Sequence, residues 1–180
     1  MVRKLPMTPQ EKIEIVPLLE ESREEFLAAV GGLSEAEACA KPDPERWSVL
    51  ECVEHVATVE ERFLKRLETA PRLNAPRVDK SKEVDLAARV PDRTVRAQAP
   101  EGARPVGRFA TLAQALEQFK VNRTQTIRFA KERAAELYWL SLEHPRFGPV
   151  NGSEFLVIVA GHARRHAAQI KEARATLGVS

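Results

Sequence analysis

Helix-start signatures recur along this chain of 180 residues, and a long segment with helical spacing of apolar residues follows most of them. In a capping box, a Ser, Thr, Asp or Asn side chain and a Glu or Gln three residues later satisfy the free backbone N–H groups at a helix N-terminus. The pattern occurs at Thr8 with Glu11, Ser34 with Glu37, Ser48 with Glu51, Thr111 with Gln114, and Asn151 with Glu154. Strand patterns are almost absent, so the chain is predicted to be all-α.

Four long helices are predicted from these starts. They cover residues 9–30, 49–70, 112–140 and 152–177, and Ser34 begins a short helical turn. Pro17 is expected to kink or divide the first long helix, because proline removes a backbone donor and clashes with the preceding turn. Amphipathic helices of this length bury their apolar stripes against one another. The predicted fold is therefore a four-helix bundle that forms a single domain over residues 1–180.

The connection between the second and third predicted helices is long, covering residues 71–110. It contains five of the twelve prolines and seven arginines, and its segment 82–90 (KEVDLAARV) is predicted to form a short helix. Connections of this length in a compact domain are usually functional or contain elements of their own. This crossover allows the second and third helices to run in the same direction, and it is expected to pack over one end of the bundle as a lid.

Charge and composition exclude several classes of partner. Lys and Arg number 28 against 26 Asp and Glu, a net charge of +2 that gives no broad basic surface for nucleic acid. No apolar run reaches the length of a membrane span, and the N-terminus lacks the apolar segment of a signal peptide. We therefore expect a cytoplasmic protein with no nucleic-acid or membrane partner, in which Cys39 and Cys52 are reduced thiols.

Two histidines lie four residues apart in the segment GHARRHAAQI, residues 161–170. On a helix, His162 and His166 share one face, and Gln169 lies on that face one turn further on. This face also carries the apolar stripe of the fourth predicted helix. An unpaired polar group buried there costs on the order of 1–3 kcal/mol. The pair is therefore expected either to bind a ligand or to be held by other polar groups.

Candidates for a third ligand and for a base lie on the second predicted helix. His55 falls at the edge of its apolar stripe, whereas His144 is predicted to lie in a loop. Three neutral imidazoles form the open kind of site that catalytic zinc uses, and Ni²⁺, Fe²⁺ or Mn²⁺ also fit. Glu51 stands one turn before His55. It is either the cap of this helix or a carboxylate that orients the His55 ring or takes a proton from bound water.

Two polar residues interrupt the apolar stripe of the third predicted helix. Arg123 and Thr126 are expected to come level with Gln169 and His166 if the third and fourth helices are antiparallel. Arg123 then either holds an anionic group of a substrate or extends along the edge of the bundle to solvent. Glu60 is expected to be solvated.

Three segments, in this order, resemble one known family. WSVLECVEHVATVEERFL (residues 47–64) has a Trp-Ser helix start followed by a histidine seven residues after the serine. APEGARPVGRFATLAQALEQF (99–119) is similar to the family's long connection and third helix, and HPRFGPVNGSEFLVIVAGHARRHAAQI (144–170) is similar to its last segment. Together they resemble the DinB-like, YfiT-like four-helix-bundle proteins, which are often described as metal-dependent hydrolases.

The resemblance implies a divalent metal, most often nickel or zinc, held by His55, His162 and His166. It also implies a small-molecule substrate and a homodimer. Relatives include transferases that use a low-molecular-weight thiol, a maleylpyruvate isomerase and a domain of sulfoxide synthases, so the fold does not choose the reaction. We therefore expect a metal-dependent enzyme, either a hydrolase or a thiol-dependent transferase with a low-molecular-weight thiol as second cofactor. The alternative is a bundle that binds a metal or ligand without turnover.

Overall fold

The computed structural model describes residues 13–95 and 98–179, and these residues are mostly helical. Their α-helices span Ile15–Val30 (α1), Glu35–Cys39 (α2), Val49–Glu68 (α3), Ser81–Arg89 (α4), Leu112–Glu132 (α5) and Gly152–Leu177 (α6). Short 3-10 helices lie at Glu101–Ala103 and Ala134–Trp139. An antiparallel hairpin pairs Leu142–His144 (β1) with Gly148–Val150 (β2). None of the described helices combines the length and the apolar character needed to cross a membrane.

The four long helices α1, α3, α5 and α6 form the predicted four-helix bundle. Both α1 and α3 pack against α5 and α6, so α1 lies diagonally opposite α3. The first halves of α3 and α5 and the second half of α6 enter the same apolar cluster. Helices α3 and α5 therefore run in the same direction, as the long crossover predicts, and α6 runs antiparallel to α3.

The apolar core consists of two clusters that meet along α6. One contains residues 155–160 of α6 together with α4 and the hairpin. The other contains Ala163, Ala167 and Ile170, together with the ends of α1, α3 and α5, where the rings of Phe26 and Phe119 lie 4.6 Å apart. The histidine-bearing turns of α6 thus begin at the boundary between the two clusters.

Side-chain caps explain where most helices begin. Complete capping boxes form at Ser34 with Glu37, Ser48 with Glu51, and Asn151 with Glu154. The Thr111 side chain also caps α5, but its partner Gln114 accepts from the backbone N–H of Ala110. The predicted capping box at Thr8 and Glu11 lies outside the described residues. Helix α6 spans the predicted residues 152–177, and α3 begins at the predicted residue 49.

The first and third long helices differ from their predicted bounds. Helix α1 begins at Ile15, so Pro17 neither kinks nor divides it, and residues 9–12 of the predicted helix lie outside the described residues. Pro17 lies in the first turn, where backbone N–H groups have no acceptor within the helix and proline is tolerated. The third predicted helix is an α-helix only to Glu132, and a 3-10 helix continues over Ala134–Trp139.

The hairpin β1–β2 was not predicted. Each of its strands has three residues, with Leu142 opposite Val150 and His144 opposite Gly148. Strands this short contain too few alternating positions to give a periodic pattern. His144 consequently lies at the end of a strand and not in a plain loop.

The connection between α3 and α5 packs against the bundle in its described part. It contains α4, close to the helix predicted over residues 82–90, and α4 packs against α6. Leu86 and Val90 are buried, and Arg165 of α6 donates to the carbonyls of Asp92 and Val95. Further along, Glu54 of α3 accepts from two backbone N–H groups of the connection.

We expect Gly161→Ala to loosen the contact between the connection and α6. A Cβ atom at Gly161 lies 2.7 Å from Cβ of Val90, closer than side chains pack. Overpacking of this kind costs about 1–3 kcal/mol of unfolding free energy, measurable by chemical denaturation. Gly31→Ala is the control, because the nearest atom to its Cβ is at an ordinary 3.5 Å. Equal stability of the two variants contradicts the prediction.

Candidate metal centre

Three histidine side chains from two helices meet near the boundary of the core clusters. One ring nitrogen from each of His55, His162 and His166 lies within 4.8 Å of the other two. Nε2 of His55 and Nε2 of His162 are 3.0 Å apart. Two nitrogens that each lie about 2.0–2.1 Å from one ion are separated by about 2.9–3.4 Å at coordination angles between about 90° and tetrahedral. The spacing of these two nitrogens therefore fits a shared ion.

The packing of α3 against α6 brings the triad together. His162 and His166 lie one turn apart on α6, and His55 reaches them from α3, which runs antiparallel to it. The ring of His55 has its centroid 5.0 Å from that of His162 and 4.6 Å from that of His166. The edge of the apolar stripe on α3 thus faces α6, and the predicted proximity of the three rings is found.

Burial keeps all three rings in the neutral form. It is the largest cause that lowers the pKa of His55, and it lowers the pKa values of His162 and His166 well below the usual range. The rings also disfavour one another's charged forms, since each proton added would place like charges side by side. Neutral imidazole is the form that ligates metal ions, so near neutral pH the triad presents lone pairs and not positive charges.

A backbone carbonyl fixes the orientation of His55. Nδ1 of His55 lies 2.6 Å from the carbonyl oxygen of Ala103. Because a carbonyl only accepts, Nδ1 carries the proton and donates it, which leaves the lone pair on Nε2, the atom that faces His162. Metal-ligating histidines are commonly held in this way by a partner on the second nitrogen. The sequence suggested Glu51 for this role, whereas the structure gives it to the connection.

Glu51 forms the cap of α3. Its Oε2 accepts from the backbone N–H of Ser48 at 2.8 Å, and its Oε1 lies 2.9 Å from Nζ of Lys41. The capping alternative is therefore confirmed. Both carboxylate oxygens are in use, and the role of Glu51 as a catalytic base stays a prediction with no contact in its favour among the described residues.

Arg123 and Thr126 use their polar groups inside the bundle. The Arg123 guanidinium is fully buried and donates to both carboxylate oxygens of Glu60, at 2.6 and 2.9 Å. It also donates to Ser22 and to the carbonyl of Leu19, and the Thr126 hydroxyl donates to the carbonyl of Asn122.

Helix α5 packs mainly against α1 and α3, and the expectation that Arg123 and Thr126 come level with Gln169 and His166 stays a prediction. The alternatives that Arg123 reaches solvent and that Glu60 is solvated are wrong. None of the described contacts of Arg123 or Thr126 supports a substrate role.

Gln169 lies beside His166, as the helical spacing predicts. Its side-chain oxygen accepts from Arg93 at 3.4 Å, and its nearness opposes the lowering of the His166 pKa. Nδ1 of His166 is buried and has no hydrogen-bond partner within the described part of the chain. A buried ring nitrogen without a partner is costly, so the site has a place for a ligand that supplies one.

Aromatic rings enclose the triad. The ring of Trp47 has its centroid 4.9 Å from that of His55 and 6.3 Å from that of His166. Phe63 lies 6.3 Å from His162 on another side and 6.1 Å from His144. His144 lies outside the triad, and burial, aided by nearby arginines, lowers its pKa to about 4.

The chain is a four-helix bundle with a long crossover between its second and third long helices, and it contains a buried triad of neutral histidines. These features define a class of helical proteins with a candidate metal centre. The family model of the DinB superfamily matches residues 18–170, and the chain belongs to this superfamily.

Known relatives support the same fold. The uncharacterized protein YuaE of Bacillus subtilis (strain 168) is 24% identical over 155 residues, which cover 86% of this chain and 94% of that protein. The structure of YfiT from Bacillus subtilis, described as a probable metal-dependent hydrolase with an unusual four-helix bundle topology, superposes with a TM-score of 0.63 at 15% identity and covers 96% of this chain and 94% of its own. The four-helix bundle protein TT2238 superposes with a TM-score of 0.53 at 20% identity, covering 88% and 94%.

Proposed function

We propose that this protein is a metal-dependent enzyme that holds one divalent cation with His55, His162 and His166. The observation that carries the proposal is the meeting of three neutral imidazoles from two helices within 4.8 Å. Imidazole ligands suit zinc and nickel, and three protein ligands leave a position for water or substrate. The buried Nδ1 of His166 and the fixed tautomer of His55 both fit such an ion.

The chain's own residues prepare the site for chemistry. When bound, a divalent ion lowers the pKa of a coordinated water or thiol and polarises a substrate carbonyl. Trp47 and Phe63 lie beside the histidines, and His55 and His166 are buried from solvent, which strengthens electrostatic interactions inside the site. Burial of the histidine rings holds protons off their ligating nitrogens.

Hydrolysis of a small molecule is the leading form of the proposal. YfiT, which shares the fold, is described as a probable metal-dependent hydrolase. A thiol-dependent transfer is the second form, and one observation favours it. In residues 13–95 and 98–179 the cluster of metal-ligating groups consists of histidines alone, and Glu51 is engaged as a cap. With no carboxylate in that cluster, water would have to be ionised by the ion alone, whereas a thiol has a much lower pKa than water to begin with and ionises more easily.

The charges around the triad favour an anionic substrate or thiol. Arg62 disfavours the protonated form of His55, and Arg93 and Arg165 do the same for His166, although Arg93 is itself paired with the carboxylate of Glu172. The Arg62 side chain is exposed, so a ligand that approaches from solvent can reach it. Of these arginines, Arg62 and Arg165 have no ion-pair partner among the described residues, and their charge would attract a ligand that carries a carboxylate or phosphate.

Two further properties are the location of the protein and its assembly. We propose a cytoplasmic protein that forms a homodimer, as the family resemblance implies. Its two cysteines are unbonded, consistent with a reducing compartment. Sedimentation velocity of the purified protein tests the dimer directly, and a single species with the mass of one chain contradicts it.

His162→Ala is expected to weaken zinc and nickel binding by more than tenfold, because it removes one of the three proposed metal ligands. The experiment is titration of metal-free protein with each ion, together with metal analysis of the protein as purified. His144→Ala is the matched control, since it removes a partly buried histidine outside the triad and should leave affinity close to wild type. Wild-type protein that binds neither ion, or equal affinity of the two variants, refutes the metal site.

Turnover separates the forms of the proposal. Metal-loaded protein that cleaves activated esters or amides without added thiol supports the hydrolase, and product that forms only with a low-molecular-weight thiol supports the transferase. Metal binding without turnover of either kind supports the alternative of a binding module.

A further inference from the structure

We infer that the connection between α3 and α5 is a working part of the metal centre: its residues 101–108 position His55, and Glu54 is the positioning residue that holds this segment in place. The inference rests on the proposed function where it concerns metal affinity. Glu54 and residues 101–108 contact neither the proposed ion nor a substrate, and their role is to hold His55 in the orientation that binds the ion.

A backbone carbonyl of the connection accepts from the ring of His55. Ala103 ends the 3-10 helix Glu101–Ala103, and its oxygen lies 2.6 Å from Nδ1 of His55. The turn is closed by two backbone hydrogen bonds, from Ala103 N–H to Pro100 and from Arg104 N–H to Glu101. The acceptor of His55 is therefore held by local structure of the connection, and its position depends on where this turn sits on α3.

Glu54 of α3 binds the same segment through its carboxylate. The Glu54 carboxylate is buried and accepts from the N–H of Val106 at 2.6 Å and from the N–H of Arg108 at 3.0 Å. Gly107, between these donors, has a φ of 76°, in the left-handed region that favours glycine. This conformation turns two nearby N–H groups toward one anion, as in the backbone nests that bind anionic groups.

The contact of Glu54 with the connection and the contact of His55 with Ala103 are coupled. Glu54 and His55 are neighbours on α3. Glu54 accepts a hydrogen bond from Val106 and His55 donates one to Ala103, and these two partners lie three residues apart in the connection. If Glu54 releases its donors, the turn is free to move off α3 and His55 loses the acceptor that fixes its tautomer. Linkage is reciprocal, so an ion that requires the fixed tautomer also favours the docked connection.

The test compares Glu54→Gln with Glu61→Gln, using Zn²⁺ alone as the probe. Glutamine at position 54 replaces one acceptor oxygen with an NH₂ group, so at least one of the two hydrogen bonds to the backbone donors is lost and the remaining one is to a neutral acceptor. Glu61 is the matched control, because it lies on the same helix and contacts the Arg108 side chain at 2.8 Å near the surface, not the backbone. We expect Glu54→Gln to weaken zinc affinity by about 10–100-fold, the range typical of lost partners of ligating histidines, and Glu61→Gln to stay close to wild type.

A second readout does not depend on metal. Nitrogen-15 NMR of metal-free protein should show His55 as a single tautomer protonated at Nδ1, and as a mixture in Glu54→Gln. Gly107→Ala is the second variant, in case Glu54→Gln does not fold. It keeps the carboxylate but strains the nest, and it should shift both readouts in the same direction. In wild type, zinc should also slow amide hydrogen exchange over residues 101–108.

The outcomes are separable. Zinc affinity and a His55 tautomer unchanged from wild type in a folded Glu54→Gln or Gly107→Ala variant overturn the inference, even if amide exchange in the connection becomes faster. Wild-type protein that binds no zinc refutes the proposed function instead, and the tautomer readout on metal-free protein still decides whether the connection positions His55.

Discussion

Arg123→Met is expected to lower the free energy of unfolding by about 3–5 kcal/mol, because it leaves a buried carboxylate without its cation. The side chains of Arg123 and Glu60 are 0% and 3% exposed, and two hydrogen bonds join them. The substitution also removes the donors to Ser22 and to the carbonyl of Leu19, both of which belong to α1. Chemical denaturation of metal-free protein measures the loss.

The double variant Arg123→Met, Glu60→Leu separates the ion pair from simple packing. With both charges gone, no buried charge remains unpaired, so much of the lost stability should return. Lys65→Met is the surface comparison. It removes the Lys65–Glu61 ion pair, whose lysine is 68% exposed, and should cost about 0–1 kcal/mol. A loss of less than about 1 kcal/mol for Arg123→Met, or a double variant as unstable as the single one, contradicts this account.

The long helices were predictable because their determinants are local. A cap and an apolar period lie within one segment, so the start of α3 at Val49 and the full span of α6, Gly152–Leu177, follow from sequence. The pair of histidines on α6 was found in the same way, from its four-residue spacing. His55 was different. Its position at the edge of an apolar stripe left its direction open, and the family resemblance supplied the expectation that the structure then met.

Features that depend on contacts between distant segments were missed or misplaced. Glu60 looked solvated beside Glu61 in the sequence, because nothing local shows that Arg123 of α5 faces it. The acceptor of His55 is a backbone carbonyl 48 residues away, and a backbone carbonyl has no residue type to recognise. Glu54 likewise accepts from backbone N–H groups, which no residue type reveals. The sequence signal for this contact is Gly107, because glycine favours the positive φ that the turn requires.

Acidification is expected to destabilise the metal-free protein, beginning at about pH 6.5, the usual histidine pKa. Burial lowers the pKa values of His55, His162 and His166 in the folded chain, and that of His144 to about 4. Below pH 6.5 the unfolded chain therefore binds protons that the folded chain does not. Each buried histidine of the triad then costs up to about 1.4 kcal/mol of unfolding free energy per pH unit until its own folded pKa is reached.

The measurement is urea denaturation of metal-free protein at several values from pH 7.5 to about 5.5. This range stays above the usual carboxylate pKa values of about 3.9–4.3, so it isolates the histidines. His162→Gln is the informative variant, because it removes one buried titrating ring and should reduce the slope by up to about 1.4 kcal/mol per pH unit. Bound zinc stabilises the fold by mass action, and this contribution should change little until the pH falls to the lowered pKa values of the folded histidines, where protons compete with the ion. A flat stability profile over this range means that the triad is protonated as easily in the fold as in water, which its burial among Trp47 and the helices of the bundle does not permit.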